Sequence, residues 1–275
     1  MTADVNRRVL PGFSLSLGYT IFYLSLVVLV PMGAGFLKAS TLSADAFWKA
    51  VSSDRAIAAY SLTLGASFVS AAVNIVLGVL VAWVLVRYEF PFKRLFDSLV
   101  DFPFALPTAV AGLVYSSLFV KGGWYGRFLV PLGIDGAYSR LGIVLVLVFI
   151  GFPFVVRTLQ PVLEGLERDV EEASACLGAN RFQTAVQVIL PSITPAIITG
   201  FALAFARSLG EYGSVVFISG NMPFRTEIAP VLIVARLEEF NYAEATAIAV
   251  VLLLISFVTL FAISLLERWS SRHHG

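Results

Sequence analysis

Long apolar stretches, separated by short polar segments, run through almost the whole chain. A helix needs roughly 20 mainly apolar residues to cross the hydrocarbon layer of a membrane. Six stretches come close to this length, at about residues 15–37, 57–86, 99–120, 141–158, 192–219 and 244–267. The pattern predicts an all-α integral membrane protein with six transmembrane helices, built as a single transmembrane domain over residues 1–275.

Four of these stretches contain residues that are expected to interrupt a regular helix, with Pro31 in the first and Pro153 in the fourth. Pro103 and Pro107 lie one turn apart in the third stretch, and a proline inside a helix removes a backbone donor and bends the helix. The fifth stretch contains ionisable residues and glycines close together, namely Arg207, Gly210, Glu211 and Gly213. Membrane bundles tolerate such breaks where neighbours or cavity water satisfy the freed backbone groups. The third and fifth stretches are therefore candidates to line a pathway.

Composition places the chain in lipid and argues against nucleic acid as a partner. Of its 275 residues, 58% are hydrophobic and only 13% are charged, whereas about a quarter are charged in soluble domains. The 19 basic and 18 acidic residues nearly cancel and give a formal net charge of +1. The chain therefore lacks the basic field that binds nucleic acid.

The residue types needed for metal or nucleotide chemistry are scarce. Cys176 is the single cysteine, and we expect it to be a small buried residue on a helix. The two histidines, His273 and His274, stand at the C-terminal end. No lysine follows a glycine, so the phosphate-binding pattern G-x-x-x-x-G-K-[ST] is absent. We predict no catalytic site, no metal site and no cofactor bound by this chain.

A polar segment, residues 159–191, separates the fourth and fifth stretches. Apolar residues recur in it at helical spacing, which predicts a helix towards Asn180 with one packed face and one acidic face. These packed positions are Leu163, Leu166, Val170 and Leu177. Gly178 is expected to end that helix, and a second short helix is expected from Arg181 to Pro191. The prediction is a helix, a turn and a helix lying across the membrane surface.

The same segment carries an ordered motif. Glu172-Ala173-Ser174 is followed after three residues by Gly178, and after nine more by Val188-Ile189-Leu190-Pro191. This order resembles the cytoplasmic coupling segment of ABC-importer permeases, which reads E-A-A, three residues, G, nine residues, I-x-L-P. Both gap lengths match, while Ser174 stands in place of alanine and Val188 in place of isoleucine.

The resemblance implies a type I ABC-importer permease whose coupling segment docks onto a separate ATPase. The chain would then be a transport subunit without enzymatic activity, and ATP and Mg²⁺ would bind to the partner. The residues implied in coupling to the ATPase are Glu171, Glu172, Ala173, Ser174, Gly178, Ala179, Leu190 and Pro191.

Three further runs extend the resemblance to the T subunit of the sulfate and thiosulfate importer permeases. They are Leu10-Pro11-Gly12-Phe13 with the residues that follow it, the run from Asp101 to Leu113, and the run from Ala206 to Gly213. The second and third are shared with molybdate permeases. The resemblance implies that the chain forms half of an alternating-access pathway in the bacterial inner membrane. The implied partners are a second related permease, two ATP-binding subunits and a periplasmic sulfate-binding protein.

Ionisable residues inside a predicted span are costly and by default suggest function. Arg207 and Glu211 have the i, i+4 spacing that lets them pair on one helical face. The pair either holds the bundle together, or Arg207 attracts the passing dianion while Glu211 limits how tightly it is held. We expect Arg207, Ser208 and Glu211 to line the substrate pathway. Asp101 is expected to be a solvated carboxylate or a charge at a helix start. Asn74 is expected to form a hydrogen bond between helices, with pathway lining as the alternative.

Basic residues between the spans lean only weakly towards a cytoplasmic N-terminus. The coupling segment is the stronger constraint, because four crossings from an inside N-terminus place residues 159–191, and both termini, in the cytoplasm. A molybdate or tungstate permease remains an alternative. An ion-coupled secondary transporter would need a coupling carboxylate at mid-membrane, for which Glu211 is the candidate. An intramembrane enzyme would need a nucleophile with a base, or a metal cluster, within the spans.

Overall fold

The part of the chain that the computed structural model describes is helical apart from its loops. It covers residues 13–274, without the side chains of Ser14, Arg168 and residues 268–274. Leu10, Pro11 and Gly12 of the N-terminal run, and the side chains of the two histidines, lie outside this part. The α-helices are α1 (Phe13–Leu24), α2 (Val30–Ala39), α3 (Ala44–Val51), α4 (Asp54–Arg87), α5 (Lys93–Val100), α6 (Phe102–Ala105), α7 (Thr108–Phe119), α8 (Gly126–Leu129), α9 (Arg140–Glu164), α10 (Arg168–Cys176), α11 (Arg181–Thr184), α12 (Leu190–Leu209), α13 (Val215–Ile218), α14 (Ala229–Glu238) and α15 (Tyr242–His274).

Five helices in the described part are long and apolar enough to cross a membrane. They are Leu15–Ala39, Asp54–Arg87, Arg140–Glu164, Arg181–Leu209 and Tyr242–Glu267, which confirms five of the six predicted spans. The fourth span is longer than predicted, because α9 continues through Pro153 and Pro161.

The predicted third span, residues 99–120, is interrupted at Pro103 and Pro107, as the sequence indicated. It is divided between the end of α5, the short helix α6 and the 12-residue helix α7. Pro103 lies in the first turn of α6, and Pro107 has extended backbone immediately before α7. The two prolines explain the break, since each removes a backbone donor and restricts the residue before it.

Two other prolines are accommodated without breaking a span. Pro31 and Pro191 each lie in the first turn of an α-helix that directly follows a π-helical segment, Ser25–Leu29 and Ala185–Ile189 respectively. The wider π turn shifts the hydrogen-bond pattern and makes room for the proline ring. The helices Leu15–Ala39 and Arg181–Leu209 consequently run through these prolines without a break, so the interruption expected at Pro31 was wrong. The predicted fifth stretch, 192–219, does end early, at Leu209, where its charged residues and glycines begin.

The core of the bundle is formed by α4, α9 and α12, which pack closely on one another. Glycines permit this approach: a Cβ on Gly78 would lie 2.5 Å from Val155 Cγ1, and one on Gly200 would lie 3.3 Å from Val155 Cα. Small residues at helix contacts are the usual means of close packing in membranes. The helix α15 covers one side of this core through contacts with α12, α14 and α2.

Candidate coupling surface and pathway

The turn between α10 and α11 has the geometry that Gly178 was predicted to provide. Gly178 has φ +90°, in the left-handed region that favours glycine. Its N–H donates to the Ala175 carbonyl at 2.9 Å, and the Ala179 N–H donates to the Ser174 carbonyl at 3.0 Å. These bonds satisfy carbonyls at the end of α10 and turn the chain sharply.

The next helix begins at Asn180 with a capping box. The Asn180 side chain accepts from the Gln183 N–H at 2.9 Å, while the Gln183 side chain accepts from the Asn180 N–H at 2.8 Å. The helix then runs from Arg181 through the π segment into α12 as far as Leu209. The prediction of a separate short helix ending at Pro191 was therefore wrong, because the π segment removes the need for a break.

Two contacts hold this α10–α11 hairpin to itself and to the bundle. The hydroxyls of Ser174 and Thr184 lie 2.8 Å apart and join α10 to α11. Arg87, at the end of α4, donates to Glu171 at 2.6 Å and packs over the Trp83 ring with 5.4 Å to its centroid. Glu171 thus faces the bundle, whereas the neighbouring Glu172 and Ala173 are exposed.

The outer surface of the hairpin is more apolar than predicted. The side chain of Leu177 is 89% exposed and that of Phe182 is 75% exposed. The prediction that Leu177 and Val170 lie on the packed face was therefore wrong. Val170 is 44% exposed. Helical spacing fails here because α9 ends at Glu164, so the residues after it belong to a new helix with its own orientation. Leu163 is fully buried and Leu166 packs against the core, as predicted.

Three further residues of the segment need separate mention. Cys176 is exposed, contrary to the expectation of a buried thiol. Leu190 and Pro191 form the first turn of α12, and Leu190 is 43% exposed. Phe182 was missed by sequence reasoning, although an aromatic residue in an otherwise polar stretch beside Arg181 could have indicated it.

The second polar site lies at the other end of α12, where Arg207 and Glu211 form the predicted pair. Arg207 Nη1 donates to Glu211 Oε2 at 2.7 Å, and the arginine side chain is 33% exposed while the glutamate is 3% exposed. The other glutamate oxygen accepts from the Ser214 N–H and hydroxyl, both at 2.9 Å. Both carboxylate oxygens are thus satisfied, and part of the guanidinium remains accessible.

The broken third span meets the break after α12 at this site. A Cβ on Gly112 of α7 would lie 2.2 Å from the Ser214 carbonyl oxygen, and one on Gly213 would lie 2.4 Å from Thr108 Oγ1. At Gly112 the two backbones therefore touch and only glycine fits, while Gly213 packs closely against the Thr108 side chain. The arrangement brings the start of α7 close to the loop that Glu211 holds.

Ser208 is separated from this accessible site. It is buried, donates to the Ala204 carbonyl at 2.9 Å and shares a 3.3 Å hydrogen bond with Ser70 of α4. Asn74, one turn further along α4, is also fully buried, and neither of its amide atoms has a hydrogen-bond partner in the described part of the chain. The expected hydrogen bond from Asn74 between helices was thus wrong. The amide packs instead into the notch at Gly151, where a Cβ would lie 2.6 Å from Asn74 Nδ2.

Asp101 stands at the start of α6, as one of the two expectations had it, but its carboxylate is paired instead of freely solvated. It binds the guanidinium of Arg157 through both oxygens at 2.8 and 2.6 Å. Arg157 also donates to Asp97 at 2.6 Å, and Gln160 donates to the same Asp97 oxygen at 3.0 Å. The hydrogen bond from Gln160, together with Arg157, lowers the pKa of Asp97 below its ordinary value. This Arg157 cluster clamps α5 and the start of α6 against α9.

Comparison with known proteins agrees with the fold and the motif. The family model described as "Binding-protein-dependent transport system inner membrane component" matches residues 74–273. The chain belongs to this family, whose members are membrane subunits of transport systems that work with a binding protein.

Within this family, the chain is similar to sulfate transport permeases. The chain is 48% identical over 267 residues to the sulfate transport system permease protein CysT of Salmonella typhimurium, covering 97% of this chain and 96% of the relative. It is 50% identical to the CysT protein of Synechococcus elongatus over 266 residues, with the same coverage of both chains. A probable sulfate transport permease of Nephroselmis olivacea is 49% identical over 93% of this chain and 90% of its own length.

Solved structures confirm the fold as that of a type I ABC-importer permease. A chain of a bacterial ABC transporter that imports alginate superposes with a TM-score of 0.75 at 19% identity, over 93% of this chain and 94% of that one. A chain of the MetNI methionine ABC transporter, in inward-facing conformations, has a TM-score of 0.61 at 17% identity, over 83% of this chain and 99% of that one.

Proposed function

We propose that the chain is the permease subunit of an ATP-driven importer for sulfate, with thiosulfate as a related substrate. The observation that carries this proposal is the α10–α11 hairpin, which presents Glu172, Leu177 and Phe182 outward while Arg87 anchors its inner side. An exposed apolar and acidic surface on a rigid hairpin suits a protein partner. The substrate follows from relatives about half identical over nearly the whole chain, which carry the name of sulfate permeases.

The partner at the hairpin is an ATP-binding subunit, present in two copies in the assembly. The nucleotide and its Mg²⁺ are bound there, since the glycine-rich phosphate-binding pattern is absent from this sequence. Closure of the ATPase pair moves the hairpin, and the hairpin moves the spans as rigid bodies between two access states. A second, different permease subunit supplies the other half of the pathway.

The same proposal fixes the orientation. The hairpin lies in the cytoplasm of a bacterium, so both termini are cytoplasmic and the loops around α8 and α13 face the periplasm. A periplasmic sulfate-binding protein delivers the substrate to that side. Substrate selection belongs mainly to this binding protein, and the permease site needs only modest affinity.

Arg207 supplies the positive charge of the pathway. A dianion that enters against an inside-negative potential works against about 4.6 kcal/mol per 100 mV. The partly exposed Arg207 guanidinium lowers the electrostatic barrier for the anion, and the buried Glu211 carboxylate prevents it from binding too tightly. Ser208 contributes through α12 packing, because its side chain is buried against α4.

Uptake of labelled sulfate by the assembled importer tests this role of Arg207. We expect Arg207→Gln to lower uptake by about tenfold, which corresponds to about 1.4 kcal/mol, while Arg207→Lys, which keeps the charge, falls between. Arg236→Gln is the matched control, because Arg236 pairs with Glu239 outside this site.

The outcomes separate the residue's role from the substrate. Normal sulfate uptake by Arg207→Gln, with the protein inserted at wild-type levels, would contradict the pathway role. Uptake of molybdate in place of sulfate by the unaltered importer would contradict the proposed substrate and favour the molybdate alternative.

A further inference from the structure

Two adjoining cavities open at the end of the bundle that carries the hairpin. The first, of about 580 Å³, has a lining rich in charged and polar residues, and the second, of about 470 Å³, is lined entirely by apolar residues. Leu85 and Phe90 form walls of both cavities. A polar cavity that shares its wall with an apolar one matches a molecule with a polar head and an apolar tail.

The position of the cavities relative to the membrane supports the same conclusion. They lie at the C-terminal end of α4, beside α5 and α9. On α5, Leu95, Phe96 and Leu99 are more than half exposed, while charged residues occupy other positions of this short helix. A short helix of this kind lies in the interface plane of a membrane. The apolar cavity runs from α5 along the membrane-spanning part of α4.

Some of the charged side chains at the polar cavity have ion-pair partners within the chain, and others do not. Lys93 pairs with Glu89 at 2.8 Å, and Asp97 is held by Arg157. Arg94 and Glu164, by contrast, are exposed at the mouth of this cavity and have no ion-pair or side-chain hydrogen-bond partner in the part of the chain that the structure describes. The same cavity thus offers one available cation and one available carboxylate that do not pair with each other.

We propose that the two cavities together bind one glycerophospholipid with a phosphoethanolamine headgroup. Arg94 binds the phosphate, Glu164 binds the primary ammonium, and an acyl chain occupies the apolar cavity. A zwitterion satisfies both available charges, whereas an anionic headgroup would bring its negative charge near Glu164 without compensation. Because Arg87 follows Leu85 on α4 and holds Glu171, the bound lipid lies next to the anchor of the hairpin and stabilises it.

Native mass spectrometry of the complete importer, released from membranes of defined lipid composition, tests the proposal. We expect one retained phosphatidylethanolamine per copy of this chain, with phosphatidylglycerol and phosphatidylcholine retained less. Arg94→Ala and Glu164→Gln should each lower the retained fraction about fivefold. Arg127→Ala and Glu238→Gln, which remove charges of the same signs elsewhere, are the matched controls and should retain the lipid.

A second variant tests the acyl-chain position. Val84→Trp places a large side chain in the apolar cavity and should lower retention without altering the headgroup residues. Equal retention of phosphatidylglycerol, or wild-type retention by both headgroup variants, would overturn the proposal. Loss of the lipid on assembly would also overturn it, because a partner subunit would then cover the cavities. The readout is bound lipid, so it is independent of whether sulfate is the substrate.

Discussion

Glu211 illustrates how a single buried carboxylate can organise the residues around it. It accepts one hydrogen bond from Arg207 and two from Ser214, and it is almost completely buried. Removing it leaves a positive charge without its partner and two donors unsatisfied. We expect Glu211→Ala to lower the stability of the assembled permease by about 3 kcal/mol.

Thermal unfolding of the purified assembly measures this effect. Glu239→Ala removes the partner of Arg236 in a pair whose glutamate is 50% exposed, so its cost should stay below about 1 kcal/mol. If the two variants lost equal stability, the buried Glu211 would stabilise the assembly no more than an exposed ion pair does.

The predictability of individual residues depended on whether their partners are local. The spacing of Arg207 and Glu211 is sufficient to predict their pair, and the φ of Gly178 follows from its place after a helix. The partner of Asp101 lies 56 residues away on α9, and sequence spacing carries no information about it. The prediction of a hydrogen bond from Asn74 failed for the same reason, because the surroundings of Asn74 depend on how α4 and α9 pack.

Among the elements, the α10–α11 hairpin depends on one backbone conformation. A side chain at position 178 would be strained at φ +90° although no atom lies within 4 Å of its Cβ. We expect Gly178→Ala to cost about 1 kcal/mol in the hairpin, to tilt α10 relative to α11, and to lower transport-coupled ATP hydrolysis. ATPase activity stimulated by the loaded binding protein is the measurement.

Gly165 provides the control for this prediction. It lies between α9 and α10 and ends α9 with negative φ, and a Cβ there would meet the Pro161 carbonyl at an ordinary 3.4 Å. Gly165→Ala should therefore keep coupled hydrolysis. A Gly178→Ala importer with normal coupling would rule out a requirement for this turn.

The Arg157 cluster allows a prediction of how pH affects the stability of the protein through Asp97 of α5. The pKa of Asp97 is lowered, first by the hydrogen bond from Gln160 and then by Arg157, so its carboxylate contributes stability above its unfolded pKa of about 4. This contribution is lost only as the pH falls through the lowered folded value. Unfolding between pH 7 and pH 5 should therefore show no change from this group.

Comparing the stability of the wild-type protein with that of Asp97→Asn tests the direction of this pH dependence. Below about pH 4 the wild-type protein should lose stability while the difference between it and Asp97→Asn shrinks. A difference that grows as the pH falls through this range would contradict the assignment of Asp97 as a charged partner of Arg157.

Element boundaries were predictable where hydrophobicity decided them and unpredictable where prolines did. Two prolines break the third span, yet Pro153 and Pro161 leave α9 intact, and Pro191 follows a π segment without a break. A proline alone does not reveal which of these outcomes occurs, because each depends on whether neighbouring helices and local hydrogen bonds compensate for the lost donor.

At the scale of the whole molecule, the continuous helix from Arg181 to Leu209 joins the two candidate sites. Its 29 residues span about 43 Å, with Phe182 at the hairpin end and Arg207 near the other. Close packing on α4 and α9 prevents this helix from bending freely. In the proposed importer, a push on the hairpin would therefore reach the Arg207 site as a movement of one rigid element, which a separate short helix would not achieve.

Chemical labelling of the single cysteine tests both the orientation of the chain and the position of the docking surface. Cys176 is exposed on α10 beside Leu177, so a membrane-impermeant maleimide should label it in inverted vesicles and not in intact spheroplasts. Assembly with the ATP-binding subunits should suppress labelling, because a docked surface excludes the reagent from the thiol. Arg127→Cys in a Cys176→Ser background is the control. Residue 127 is exposed on the short helix α8, between α7 and α9, and it should label with the opposite sidedness. Labelling of Cys176 in intact spheroplasts would place the hairpin outside the cell and leave the ATPase without a docking surface, whereas equal labelling with and without the ATPase would move the docking site elsewhere on the chain.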